Sequence, residues 1–271
     1  MKTVRMLVIL VLVLTGLGTV AFSQPGQQVY IAYPVDDDPP VIDGVLDKGE
    51  YKDGMPLRVT FNDPTNPPGI IPYYPWWLPA PYNRVDLSYE FYAVYDEDNL
   101  YIAVDVMDDI VIDDGPSAPW HDDDVEIFVD GDQVGNDIWE EAPGKEGFQL
   151  IVDSGGDTMD VSGDDAIDWD ATPGPRHKGY LIEFRISLAS IDTEDGGGEV
   201  PPSPGDSIGF NIAVGDDDNG GLPYNWETTG EQTDTFGMWD GSDTFNEDDW
   251  GTLVFATDDD DELLDDDNDD Q

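Results

Sequence analysis

Short runs in which apolar and polar residues alternate recur along the chain, and they predict β-strands. In residues 125–129, Val-Glu-Ile-Phe-Val, and 180–186, Tyr-Leu-Ile-Glu-Phe-Arg-Ile, every second position is apolar, as expected where one strand face packs on a core and the other meets solvent. Gly, Pro, Asp and Asn separate these runs. The pattern predicts an all-β fold, an antiparallel β-sandwich of jelly-roll type. The predicted strands are 87–94, 100–106, 125–129, 148–152, 180–186, 208–214 and 252–255.

Two segments lack this alternation, one inside the expected domain and one after it. Residues 64–81 combine many prolines with Tyr73, Tyr74, Trp76 and Trp77, which predicts a long aromatic loop because a sheet interior does not accept proline at that density. Residues 256–271 are dominated by Asp and predict a disordered acidic tail. We therefore expect one sandwich domain over residues 29–255.

The N-terminus has the pattern of a secretory signal peptide over residues 1–23. Lys2 and Arg5 precede an apolar run over residues 6–20, and Ala21-Phe22-Ser23 supplies small residues around a cleavage site before Gln24. The run is shorter than the roughly 20 residues that cross a bilayer comfortably. The sequence thus predicts a secreted or periplasmic protein without membrane insertion.

The charge balance narrows the range of partners. The chain has 62 Asp and Glu against 10 Lys and Arg, a net charge of -52. Such a field repels nucleic acid and anionic membranes. Two explanations stay open: a halophilic-type surface, whose self-repulsion molar salt would screen, and Asp-rich loops that bind calcium.

Several Asp clusters have the oxygen ligands that calcium prefers. Asp108 and Asp109 end one predicted strand and Asp122, Asp123 and Asp124 begin another, so the two groups would meet if these strands were neighbours. We expect structural Ca²⁺ at this cluster. Residues 130–137 and 216–219 are further calcium-like loops. A zinc site is not expected from two histidines and no cysteine.

Six blocks of the sequence, taken in order, resemble the family 9 carbohydrate-binding modules. The most recognisable block runs from Trp120 to Asp130, Trp-His-Asp-Asp-Asp-Val-Glu-Ile-Phe-Val-Asp. The others are Val-Ile-Asp-Gly-Val-Leu-Asp at 41–47, Tyr-Asp-Glu-Asp-Asn-Leu-Tyr-Ile-Ala-Val at 95–104, residues 179–186, Ile-Gly-Phe-Asn-Ile at 208–212 and Trp-Gly-Thr-Leu-Val at 250–254.

The resemblance implies a jelly-roll sandwich that binds polysaccharide or oligosaccharide without hydrolysing it, and bound structural calcium. It also implies that two tryptophans clamp a sugar ring, whose apolar C–H face suits a flat indole. By position the first is Trp120, and Glu126 matches an acid that bonds sugar hydroxyls. The second is Trp239, with Trp226 as its rival. Gln149 stands where the family has arginine, and Ala213 where it has glutamine.

Other interpretations remain open at this point. Trp120 could be a rim aromatic with a packing role only. A related superfamily of sandwiches (DOMON-like) binds b-type haem, for which Met107, Met159, His121 and His177 would be the candidate ligands. An Asp-rich structural or adhesion protein that assembles with calcium is the third possibility. Pairs of acids carry little weight as evidence for an enzyme in a chain with 62 of them, and the sequence does not indicate an oligomeric state.

Overall fold

The computed structural model describes residues 28–35, 38–60, 84–113, 118–133, 147–162, 167–193, 200–218, 235–240 and 250–257. These residues form strands joined by turns and two short 3₁₀ turns, at Pro119–His121 and Leu188–Ser190. The strands are β1 (Val29–Pro34), β2 (Leu57–Thr60), β3 (Leu87–Tyr95), β4 (Asn99–Asp108), β5 (Asp124–Asp130), β6 (Gly147–Asp153), β7 (Thr158–Ser162), β8 (Trp169–Pro175), β9 (Tyr180–Ser187), β10 (Ser207–Asp216), β11 (Thr235–Met238) and β12 (Gly251–Phe255).

The strands form one continuous sheet that curls into two layers. Its order is β7-β6-β5-β10-β12-β1-β3-β4-β9-β8, with β11 beside β10 and β2 beside β3. We call the strands from β7 to β12 in this order, with β11, the first layer, and β2, β3, β4, β9 and β8 the second layer. Strand β1 joins the layers, because Val29–Ala32 pair with β12 and Tyr33–Pro34 pair with β3. Both β1 pairings are parallel, and the others are antiparallel.

The core lies between the two layers, where alternate side chains of each strand meet. Val125, Ile127 and Val129 of β5 are fully buried members of this core. Phe91 of the second layer contacts Phe210 of the first, with ring centroids 6.3 Å apart. Because burying an aromatic or aliphatic side chain contributes about 1.5–3 kcal/mol, such contacts are what hold the layers together. The predicted β-sandwich is confirmed.

All seven predicted strands are present, each extended by a few residues at most. Five further strands, β1, β2, β7, β8 and β11, were not predicted. Strand β8 contains Pro173 and Pro175 and lies at one end of the sheet order. Proline removes a backbone donor and is tolerated at an edge, which explains why a strand forms where the sequence pattern gives no strand signal.

The segment at residues 41–47 is held against the outer face of the second layer by Glu183 of β9. Glu183 Oε2 accepts hydrogen bonds from the backbone N–H groups of Gly44, at 2.8 Å, and Asp43, at 3.2 Å. Gly44 has a φ of +76°, and a Cβ there would lie 2.5 Å from the carbonyl oxygen of Pro173. Glycine is therefore required at this position on both conformational and steric grounds.

Several predictions fall outside the described residues. These are the signal peptide over residues 1–23, the aromatic loop over 64–81, Trp226, and the acidic tail beyond residue 257. Within the described part of the chain, no helix is long and apolar enough to cross a membrane.

Candidate functional site

Polar and aromatic side chains collect on the outer face of the first layer. Because Val125, Ile127 and Val129 point into the core, Glu126 and Phe128 point to the opposite face of β5. Cross-strand register places Ala213 and Ile151 beside Glu126, and Asn211 and Gln149 beside Phe128. Residues paired in this way share a face of the sheet, so β5, β6 and β10 together build one surface. We call it the outer face.

Glu126 and Gln149 form a hydrogen-bonded pair on the outer face. Gln149 Nε2 donates to Glu126 Oε2 at 2.8 Å, and the two residues are only 5% and 6% exposed. Burial raises the pKa of Glu126 to about 7, and the hydrogen bond from Gln149 opposes that rise. The pair thus offers an amide in a fixed position and a carboxyl group that donates when protonated and accepts when ionised. Both groups can form hydrogen bonds with ligand hydroxyls.

Trp120 lies in the 3₁₀ turn that leads into β5. The turn contacts both β5 and β6, the two strands that carry Glu126 and Gln149. The Trp120 side chain is 38% exposed, and its ring meets the His121 ring edge-on, with centroids 5.5 Å apart. The turn thus presents an exposed indole at the start of β5, and such a ring can stack on the apolar face of a ligand ring.

The structure corrects the expectation that Trp239 is the second wall of a clamp. Trp239 is 0% exposed and packs edge-on against Phe91, with ring centroids 5.5 Å apart. Met238 pairs with Ala213 across β11 and β10 and so occupies the outer face. The next residue therefore turns inward, and Trp239 is a core residue.

Another tryptophan, Trp250, lies on the outer face and was not singled out from the sequence as a site residue. It forms a small apolar cluster with Phe128, Ala213 and Met238, and its ring centroid is 5.3 Å from that of Phe128. Trp250 is itself buried, so its ring packs within this cluster. Its position directly before β12, where the sequence reads Trp-Gly-Thr-Leu-Val, was visible, but not the face to which it points.

Two groups of carboxylates come close enough to bind a cation. In the first, Asp108 at the end of β4 meets Asp216 at the end of β10 and the nearby Asp218, with one oxygen of each within 4.8 Å of the others. In the second, Asp113, Asp122 and Asp153 meet in the same way. Oxygen donors at this density are what calcium requires. Of the predicted ligands, Asp108 and Asp122 thus belong to such groups.

Asp123 and Asp124 have different roles from the predicted one. Asp123 accepts hydrogen bonds from the backbone N–H groups of Ile112 and Asp217, the latter at 3.1 Å. Asp124 Oδ1 accepts from the N–H of Gly215 at 2.9 Å. Asp123 therefore fastens two loops to the start of β5, and Asp124 bonds to the neighbouring strand β10. Burial is the main cause that raises the pKa of Asp123 to about 9 and that of Asp124 well above its usual range.

Asp109 also differs from the prediction. It is exposed and belongs to neither acidic group. Asp108 is almost completely buried, at 1% exposure, and burial raises its pKa to about 7. Since successive residues at the end of a strand point in opposite directions, only one of the two can face the buried cluster.

The arrangement defines a class of protein, a β-sandwich binding domain with its polar and aromatic surface on an outer sheet face. The chain belongs to the family described as carbohydrate family 9 binding domain-like, which its sequence matches over residues 77–256. The resemblance seen in the sequence is thereby confirmed. No curated protein matches the chain significantly.

Two solved structures are similar in fold. Both are of a family 9 carbohydrate-binding module from Caldicellulosiruptor kristjanssonii, one in complex with cellotriose and one with glucose. Each superposes with a TM-score of 0.56 at 16% identity and covers 85% of this chain. The match spans 96% of the cellotriose-bound chain and 98% of the glucose-bound chain. At this identity the similarity establishes the fold.

Proposed function

We propose that this protein is an exported, non-catalytic carbohydrate-binding protein. Its ligand is an oligosaccharide or polysaccharide, received on the outer face at Trp120, Glu126 and Gln149. The observation that carries the proposal is that a chain of this family combines the Glu126–Gln149 pair on β5 and β6 with an exposed indole in the turn that leads into β5. The cellotriose and glucose bound by the two similar structures make a β-glucan the first ligand to test.

Trp239 is not the second wall of a two-tryptophan clamp, because it is in the core, and its rival Trp226 lies outside the described residues. Trp120 supplies the ring that stacks on the sugar, and the buried Phe128–Trp250 pair supports the floor. Gln149 is hydrogen-bonded to Glu126 and needs no charged partner. A neutral amide beside a carboxyl group that titrates near neutrality suits a neutral sugar.

The direct test is calorimetric titration of the protein with cellotriose, followed by the same titration of Trp120→Ala. We expect the variant to bind at least tenfold more weakly, a loss of about 1.4 kcal/mol. Trp169→Phe is a matched control, since Trp169 lies in the second layer, where its ring stacks on Phe184. Equal affinities for Trp120→Ala and the wild type would refute the site.

The absence of catalysis and the export of the protein are tested by separate experiments. Prolonged incubation with cellotriose should release no glucose, and any enzyme-dependent release would contradict the non-catalytic assignment. The N-terminal sequence supports export through its basic, apolar and small-residue segments. Mass spectrometry of protein recovered from outside the cytoplasm of a bacterial host should give Gln24 as the first residue.

Calcium is proposed as the ion that the two acidic groups hold. Asp108 Oδ1 accepts a hydrogen bond from the N–H of Ile110 at 2.8 Å, whereas its buried Oδ2 has no hydrogen-bond partner among the described residues. A buried carboxylate without a compensating partner is costly. Calcium at Asp108, Asp216 and Asp218 would supply the missing charge, and would tie the end of β4 in one layer to the end of β10 in the other.

The haem alternative has one observation in its favour. Met107 and His177 line the same cleft on the second layer, of about 890 Å³. Six charged side chains line that cleft as well: Arg58, Arg84, Glu90, Asp105, Arg176 and Lys178. Such a lining is unsuited to the broad apolar faces of a porphyrin. A Soret band in the purified protein would establish haem binding.

A further inference from the structure

Positive charge, which is scarce in this chain, is concentrated at one cleft. The chain has only 10 Lys and Arg residues against 62 acids. Four of the ten, Arg58, Arg84, Arg176 and Lys178, line the cleft of about 890 Å³ on the outer face of the second layer. We call it the basic cleft. A local excess of cations in a field of the opposite sign is the electrostatic signature of an anion-binding site.

The basic cleft is assembled from separate parts of the chain. Arg58 lies in β2, Arg84 directly precedes β3, and Arg176 and Lys178 belong to the turn between β8 and β9. Its floor is formed by β3 and β4, on which Glu90 and Asp105 are cross-strand neighbours. The cations therefore meet through the fold and not through a basic run in the sequence.

The two carboxylates of the floor account for two of the cations. Like charges directly opposite one another destabilise a sheet, and each of these acids has its own arginine. Asp105 is bound by Arg176 through two bonds of 3.0 Å. Glu90 is bound by Arg58 at 2.9 Å and also accepts from the hydroxyl of Tyr92 at 2.7 Å.

Arg84 and Lys178 are not needed to neutralise the two carboxylates of the floor. Both are exposed, and no carboxylate of the described residues forms an ion pair with either of them. The basic cleft thus has two positive charges beyond its own acids. These two exposed cations are available to an external anion, with which they can form charge-assisted hydrogen bonds.

The rest of the protein restricts which anion fits. A net charge of -52 repels a polyanion of high charge density at long range, whereas a single carboxylate can still form charge-assisted hydrogen bonds at short range. The cleft also exposes the apolar side chain of Met107, which suits a pyranose C–H face, and the largely buried Thr60 contributes to its lining. Its volume lies in the range of ligand sites, roughly 300–1,000 Å³.

We propose that the basic cleft binds a saccharide bearing a uronic acid, whose carboxylate is held by Arg84 and Lys178. This inference rests on the proposed function in taking a saccharide as the ligand, and extends it to an acidic class at a second site. The two sites lie on different layers of the sandwich. One chain would then recognise a neutral unit at Trp120 and a carboxylated unit at the basic cleft.

The test compares trigalacturonate with its methyl ester by calorimetric titration at about 0.15 M salt. The two ligands share the sugar chain and differ in charge. We expect the acid to bind at least tenfold more tightly than the ester, and the double variant Arg84→Gln/Lys178→Gln to remove that preference. The control Lys48→Gln/Lys52→Gln removes the same charge from exposed lysines outside the cleft and should leave the preference unchanged.

The inference would be overturned by no binding of trigalacturonate, by an equal loss in both double variants, or by displacement of the sugar by a hexa-aspartate peptide. Failure of the first site is distinguishable from failure of the second. Cellotriose binding lost in Trp120→Ala, with trigalacturonate binding retained, supports two sites. Loss of both ligands in Arg84→Gln/Lys178→Gln, with the folded circular dichroism spectrum unchanged, would mean a single site and refute the proposal.

Discussion

Gln149 donates a hydrogen bond of 2.8 Å to Glu126 from the neighbouring strand, so the amide and the carboxyl group hold each other in place on the outer face. This relationship makes the effect of each residue on ligand binding depend on the other. The resemblance led us to expect an arginine at position 149, and the partner of Glu126 in this protein is instead a neutral amide.

Glu126→Gln should therefore weaken cellotriose binding about tenfold or more at pH 8, where the wild-type carboxyl group is ionised. Hydrogen bonds to a charged group contribute about 1.5–3 kcal/mol. Gln149→Met should weaken binding as well, and the double variant should lose less than the sum of the two single effects, since each residue orients the other. Calorimetric titration of the four proteins measures this coupling. Strictly additive losses would show that the pair does not act as a unit.

Truncation of Trp239 should reduce the free energy of unfolding far more than truncation of Trp120. Trp239→Ala removes a core indole between Phe91 and Phe210, so it should reduce the free energy of unfolding by about 3–5 kcal/mol. Trp120→Ala removes a partly exposed ring and should change that free energy by no more than about 1 kcal/mol. Urea unfolding followed by circular dichroism measures both. A small loss in Trp239→Ala would contradict the core assignment.

Trp239 was assigned wrongly because the sequence pattern of a short strand does not show which side chains face the core. Residues 236, 238 and 239 are Phe, Met and Trp, so both faces of β11 look apolar and alternation does not separate them. The register with β10, Ala213 opposite Met238, decides which of the two buried side chains, Met238 or Trp239, enters the core between the layers. In β5, where Glu126 interrupts the apolar positions, the same reasoning assigned the strand and its core-facing residues correctly, but the opposite face, which was expected to meet solvent, is buried as well.

The acidic clusters were predicted in part for a related reason. The predicted cluster would form only if β4 and β5 were neighbours, but β4 pairs with β3 and β9 whereas β5 pairs with β10 and β6. Asp108 instead meets Asp216, because the ends of β4 and β10 approach each other across the two layers. Contacts between layers depend on how the sheet curls, and local alternation does not encode this. The basic cleft was not foreseen because its cations come from β2, the turn before β3 and the β8–β9 turn, and the pairing of these parts of the second layer is not visible in local alternation.

Asp108→Asn should have opposite effects on the unfolding temperature with and without calcium. With a chelator, the variant should unfold at a higher temperature than the wild type, because it removes a buried charge from beside Asp218 and Asp109. With millimolar calcium the order should reverse, since binding to the folded state stabilises it and the variant has lost a ligand. Thermal unfolding by circular dichroism measures both conditions.

Asp109→Asn is the matched control for this prediction, because Asp109 is adjacent but exposed and outside both acidic groups. It should retain the full calcium-induced rise in unfolding temperature. A rise lost equally in both variants would indicate a diffuse response of the acidic surface. A rise retained in both would exclude Asp108 as a ligand.

Glu183 should make folding less favourable as the pH rises, in spite of its two backbone hydrogen bonds. Burial raises the pKa of Glu183 from 4.5 to about 7, and nearby Glu50 adds to the rise. Below the ordinary pKa the group is protonated in both the folded and unfolded states. Between pH 4.5 and 7 the unfolded chain ionises first, so stability is lost across this window and the loss is complete above pH 7.

Glu183→Gln removes this titration and retains one oxygen for the N–H groups of Asp43 and Gly44. The difference in unfolding free energy between variant and wild type should therefore shift in favour of the variant from pH 4.5 to pH 8, by at most about 3 kcal/mol. Urea unfolding at a series of pH values measures the shift. Because other carboxyl groups titrate in the same range, Glu97→Gln, an exposed carboxylate in a turn, provides the baseline. Parallel profiles for the two variants would mean that Glu183 ionises in the folded protein as it does in the unfolded chain.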